Sequence, residues 1–321
     1  MVGRFGAVLA QWVCLSRWRE WAQSKLPYIG AATVLLTSRE SSTLVALAII
    51  GTILPWAAFG YGINEIADRK CDQQAGKPNR AAGLSRTSLG LFLFMTAGLS
   101  FALSLLWAVD EAAPALVLAG LVLAAAYSLP PLRLKEGGIV GLIGAAAAQW
   151  VLPVLAVSAG QPWGWLRPSA WCLALLGLAI GMRWIAVHQL HDAPADRKAG
   201  VRTWASTGGR VWRVILGAFV CELALLAVTL VVTWPHSIPA IAGLVFWALP
   251  QIFIRARDGS IRNRLQDYDH APLAAYYFLF LPVTLATARG LSSPAFFTIA
   301  AAFLILGWGH LRRILAEVTA P

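Results

Sequence analysis

Asn64, Asp68 and Asp72 recur at steps of four in NEIADRKCD, residues 64–72, which opens the longest basic loop of the chain. On a helical end that spacing sets two carboxylates and an amide oxygen on one face. Such oxygen donors suit magnesium, a hard cation that shares its ligands with substrate phosphates. The same residues also fit a solvated helix end whose acids pair with Arg69, Lys70 and Lys77. A second pair, Asp192 and Asp196 in DAPAD, again stands four apart, and the chain has only 15 acidic residues. Two such pairs favour the metal reading. A diphosphate bound through metal also needs direct positive charge. Lys77, Arg80, Arg133, Lys135, Arg197, Lys198 and Arg202 lie near the acids in sequence, with Arg80, Lys135 and Lys198 the foremost candidates.

The elements that must hold these groups are membrane helices. Of the 321 residues, 58% are hydrophobic and 13% charged, and the mean hydropathy is +0.66, beyond the mix of a soluble domain. A crossing takes about 20 apolar residues. Apolar runs lie near 20–37, 41–63, 88–109, 113–130, 138–159, 169–190, 211–234, 238–254, 271–288 and 293–311. Pro27 interrupts the first and the eighth is short, so the expected fold is an all-α, polytopic bundle of nine or ten helices. It forms one domain over residues 1–321, with residues 1–19 lying along the membrane surface as an amphipathic segment.

Charge orients the bundle. Of the 26 Lys and Arg residues, only Arg39, Arg167 and Arg289 fall in loops on one side and only Arg183 inside a span. The positive-inside rule therefore puts both termini and both acid-bearing loops in the cytosol. The expected location is a bacterial inner membrane. The net charge of +11 is spread over short loops and suits topology and lipid headgroups, not nucleic acid. Cys14, Cys71, Cys172 and Cys221 show neither zinc nor disulfide spacing. Arg17, Arg19 and Glu20 follow the first apolar stretch without a small-residue cleavage site, so no cleaved signal peptide is expected. Many Trp residues, among them Trp18, Trp21 and Trp171, fall near span ends, where amphipathic rings anchor at the headgroups.

With these residues in place, the chain resembles the UbiA superfamily of intramembrane prenyltransferases. NEIADRKCD resembles that family's NxxxDxxxD motif and DAPAD its DxxxD motif. KPNRAAGLSRTS (77–88), YSLPPLRLKEGG (127–138) and DRKAGVRT (196–203) resemble the segments beside them, in order, over about residues 16–215. The resemblance implies a central cavity capped by the two motifs, with two Mg2+ ions bridging an isoprenoid diphosphate. Asn64, Asp68, Asp72, Asp192 and Asp196 are then metal ligands, directly or through water, and Lys77, Arg80, Tyr127, Lys135 and Lys198 meet the diphosphate or shape its pocket. A family run Pro-x-x-Ser-Gly is replaced here by Ala81, Ala82, Gly83, Leu84 and Ser85.

The implied chemistry is loss of diphosphate, an allylic cation in a water-poor cavity, and capture by an aromatic or other lipophilic acceptor. Trp56, Phe59, Tyr61, Trp150 and Trp184 are candidates to shield the cation, against ordinary helix packing. Two other activities share the pattern in part: a terpene cyclase that uses no acceptor, and a lipid or ion transporter, which calls for acids at mid-membrane. Arg183, within a span, either meets the substrates or pairs with Glu222.

Overall fold

The computed structural model describes residues 2–37, 43–162, 164–208, 210–233 and 241. The spans predicted at 238–254, 271–288 and 293–311 lie outside the described residues. All regular elements described are helical: α1 (Val2–Leu15), α2 (Trp18–Trp21), α3 (Lys25–Leu36), α4 (Thr43–Ala75), α5 (Arg86–Ser104), α6 (Ala112–Ser128), α7 (Ile139–Ala146), α8 (Leu152–Ala159), α9 (Pro168–Ala199) and α10 (Val211–Val232). Among the described residues, five stretches are long and apolar enough to cross a membrane, α7 and α8 together forming one of them. The shorter α3 and α6 are apolar as well. Large side chains left open on the bundle exterior, such as Leu44, Phe94, Leu106 and Val231, are apolar. In water that surface is a liability; against lipid it is the natural exterior.

The runs predicted from 20 to 234 each meet a helix, but two boundaries move far. α4 continues twelve residues past 63, and α9 nine past 190. The acid motifs therefore ride on helices and not in loops. At 33 and 32 residues, α4 and α9 span about 50 Å each, well over the roughly 30 Å of hydrocarbon. Their acid-bearing ends must project from it. Each helix stops in the same way, at a glycine with positive φ four residues beyond its last aspartate: Gly76 at +72° and Gly200 at +70°. The amide of the next residue then caps that aspartate's carbonyl, Lys77 to Asp72 at 2.8 Å and Val201 to Asp196 at 2.9 Å. This is the left-handed close that only glycine makes without cost.

α9 lies at the centre, packed against α10, α7, α4, α8 and α3. Close approach depends on small residues, as in lipid generally. A Cβ on Gly181 would come within 2.6 Å of the Trp150 ring, and one on Gly120 within 1.9 Å of Trp56. Tyr28, fully buried, donates across α3 to the Leu173 carbonyl of α9 at 2.6 Å. Arg183 and Glu222 tie α9 to α10 through two hydrogen bonds of 2.6 and 3.0 Å, and both are buried. Of the two readings open for Arg183, the structure shows the pair with Glu222.

Candidate active site

One face of α4 lines a cavity of about 870 Å³ from Ile53 to Ala75, through Trp56, Ala57, Gly60, Tyr61, Asn64, Asp68 and Asp72. Steps of three and four keep these residues on one stripe of the helix. α9 supplies the facing wall with Trp184, Ile185, His188, Gln189, Asp192 and Asp196. The deep end is aromatic and aliphatic; the mouth is ionic. Of the five expected shielding aromatics, Trp56, Tyr61, Trp150 and Trp184 reach the cavity, whereas Phe59 is buried in the helix core.

All five oxygen donors expected to hold metal line this cavity. Asp68 forms an ion pair with Lys135 and lies 3.5 Å from Arg133. Asp72 accepts from the Asn79 side chain at 2.7 Å, and Asn64 from Ser128 at 3.4 Å. Asp192 sits 3.1 Å from Lys77 and 3.3 Å from His188. Asp196 accepts from Thr203 at 2.9 Å and lies 4.0 Å from Lys77. Neither Asp68 nor Asp72 pairs with Arg69, Lys70 or Lys77 among the described residues. Lys77 instead reaches across to the second motif.

Among the described residues no three acid, His or Cys groups converge on one point. The donors form two sets on facing helices, Asn64, Asp68 and Asp72 on α4 and Asp192 and Asp196 on α9, each with two carboxylates. That donor chemistry fits Mg2+, which is held by one or two carboxylates and completes its shell with phosphate and water.

Lys77, Arg80, Tyr127 and Lys135 also line the cavity. Lys198 does not: it is exposed on α9, two residues or about 200° round from Asp196. Arg183 stands outside as well, turned toward α10. Arg80 is shared with two carboxylates, Glu65 at 3.1 Å and Glu20 at 2.8 Å. Glu65, beside Asn64 and absent from the expected site, is the hub here. Its buried carboxylate takes hydrogen bonds from Arg17 at 3.1 Å and from the Arg80 amide at 2.8 Å. Asn79 donates to the Glu65 carbonyl at 2.8 Å. The network ties the α1–α2 segment to the first motif. Burial alone would raise the Glu20 carboxyl, but the hydrogen bond and charge of Arg17, with Arg80 beside it, hold it below its ordinary range. Lys25 is a second unforeseen residue of the site, a buried cation lining the cavity and donating to the Tyr61 hydroxyl.

The chain is similar to a 4-hydroxybenzoate octaprenyltransferase of Sodalis glossinidius, 29% identical over 82% of this chain and 86% of the relative. It is 28% identical to a lycopene elongase/hydratase of Halobacterium salinarum, over 74% of this chain and 90% of the relative. Its fold is similar to that of a UbiA homolog from Archaeoglobus fulgidus bound to GPP and Mg2+. That likeness has a TM-score of 0.56 at 19% identity, covering 94% of this chain and 99% of that one. Residues 26–266 match the UbiA prenyltransferase family. This chain is an integral membrane protein of the UbiA prenyltransferase family.

Proposed function

We propose that the protein transfers a prenyl group from an isoprenoid diphosphate to an aromatic or other lipophilic acceptor within the membrane, with Mg2+. The observation that carries this reading is the meeting of two acid-bearing helix ends over a cavity whose deeper wall is apolar and aromatic. Asn64, Asp68 and Asp72 would hold one Mg2+ and Asp192 and Asp196 a second, directly or through water, and the ions would supply positive charge against that gathering on the departing diphosphate. Lys77 and Lys135 stand beside the acids and meet the diphosphate oxygens directly, and Tyr127 shapes the pocket between the two motifs. Arg80, its charge shared with Glu20 and Glu65, shapes the mouth of the pocket. Below the acids, Tyr61 and Trp184 face the allylic cation and exclude water until the acceptor captures it. The ionic mouth lies on the cytosolic side of a bacterial inner membrane.

The test uses purified protein with Mg2+, a panel of prenyl diphosphates, and mass spectrometry with and without a crude lipid extract. Diphosphate release with a prenylated lipid product is expected. A cyclic terpene formed from the donor alone would replace this reading with cyclisation, and no diphosphate release with any donor would refute it.

A further inference from the structure

The stretch from Ile139 to Ala159 is not a regular helix. Between α7 and α8, residues Ala147–Val151 widen into a π turn, a rare form that alters which side chains face inward and tends to mark functional sites. Three of its residues, Ala148, Gln149 and Trp150, line the cavity. Trp150 is locked: it is buried, set on Gly181, and edge-on to Tyr28 with ring centres 5.2 Å apart. Gln149 is not. It is half-buried, and its side-chain amide makes no hydrogen bond to any described residue.

The depth of this amide follows from its neighbours. Gly181, against which the neighbouring Trp150 packs, precedes Asp192 by eleven residues, about 16 Å of helix. Trp150 and Pro153, on the same stretch as Gln149, line the cavity beside it and carry no charge. Arg183 lies at similar depth but is turned to Glu222. Lys25 lies nearer the acids, with its ammonium on the hydroxyl of Tyr61 and 4.4 Å from that ring's centre.

An amide held in a membrane-embedded cavity costs free energy unless a partner takes up its donor and acceptor. The hydrocarbon tail of a prenyl donor offers neither. A carboxylate placed there would be stripped of water, which is costlier still. We infer that Gln149 receives an uncharged hydrogen-bonding group, a carbonyl, hydroxyl or carboxamide, at the far end of the acceptor, so that this protein favours neutral acceptors over acids. The inference rests on the transfer reading above and names its second substrate class.

Two probes that differ only in that group test it: 4-hydroxybenzamide and 4-hydroxybenzoate. Their binding to the full chain is followed by quenching of tryptophan fluorescence, and prenyl transfer is scored separately with geranyl diphosphate. The amide should bind about tenfold more tightly than the acid. Gln149→Leu should remove that advantage with geranyl diphosphate affinity unchanged, and Gln149→Arg should reverse the order. Should either variant fail to fold, the comparison of the two probes on the native protein decides alone. Tighter binding of the acid, no binding of the amide, or an amide affinity indifferent to Gln149→Leu overturns the inference; the last result would mean the amide serves only cavity water. Gln149-dependent binding of the amide alongside purely cyclic products from geranyl diphosphate would leave the polar site standing and sink the transfer reading instead.

Discussion

Arg183 and Asp192 lie on one helix nine residues apart and face opposite ways, because nine residues make about two and a half turns. Arg183 grips Glu222 of α10 while Asp192 faces the cavity. The ion pair thus fixes the rotation at which α9 presents its aspartates. Removing one partner of a buried pair strands the other, at a cost of about 3–5 kcal/mol. Arg183→Met should accordingly lower the melting temperature in detergent sharply, and the double variant Arg183→Met with Glu222→Leu should recover most of the loss. A single variant as stable as the native chain would mean that the pair contributes no net stability.

Asp68→Ala and Asp192→Ala each take one carboxylate from opposite walls of the same mouth. Diphosphate release should fall by about 10²-fold or more in both, the scale of losing a charge-stabilising group at the transition state. Helix content should stay native, since both side chains lie at a solvated mouth and not in the core. Release assays beside circular dichroism check this. Native rates in either variant would remove that acid from the metal site.

Much of this site is legible in the sequence for a simple reason. The i, i+4 spacing of Asp68 with Asp72, and of Asp192 with Asp196, survives whatever the helices do around it. The helix ends are less legible, because an apolar run stops where the lipid stops, whereas a helix stops where its backbone is capped. Gly76 and Gly200 hold that information, and they stand well past the last apolar residue. Lys198 has the right charge and sequence position, but its angle on α9 turns it outward. Glu65 is hidden by its neighbours, as a carboxylate between Asn64 and Asp68 reads as one more acid of the motif until Arg17 and Arg80 are seen to close on it. Gln149 does leave a trace, a lone amide in a run of Ala, Val, Leu and Trp.

The orientation can be tested on the native fold. Lys77 follows the close of the first motif helix and reaches the second, so a single cysteine placed there reports the side on which both motifs lie. In a background without the four native cysteines, Lys77→Cys should react with a membrane-permeant maleimide and resist an impermeant one added to intact cells. Labelling from outside would invert the assigned topology.

Glu20 gives the mouth a pH signature whose sign is fixed by its shift. Its carboxyl lies below the ordinary value of 4.5 because Arg17, with Arg80, outweighs burial. A carboxylate lowered on folding contributes stability that is complete above its unfolded value and is lost as pH falls through the folded one. Other acids titrate in the same range, so the informative quantity is the gap in melting temperature between the native chain and Glu20→Gln. That gap should be constant from neutral pH down to about 5 and close below about 4.5, as the native side chain becomes neutral like its replacement. Because Glu20 is partly exposed, the gap should also shrink with added salt, which screens exposed charge pairs first. A gap that persists at low pH would mean that Glu20 holds the α1–α2 segment by packing and not by its charge.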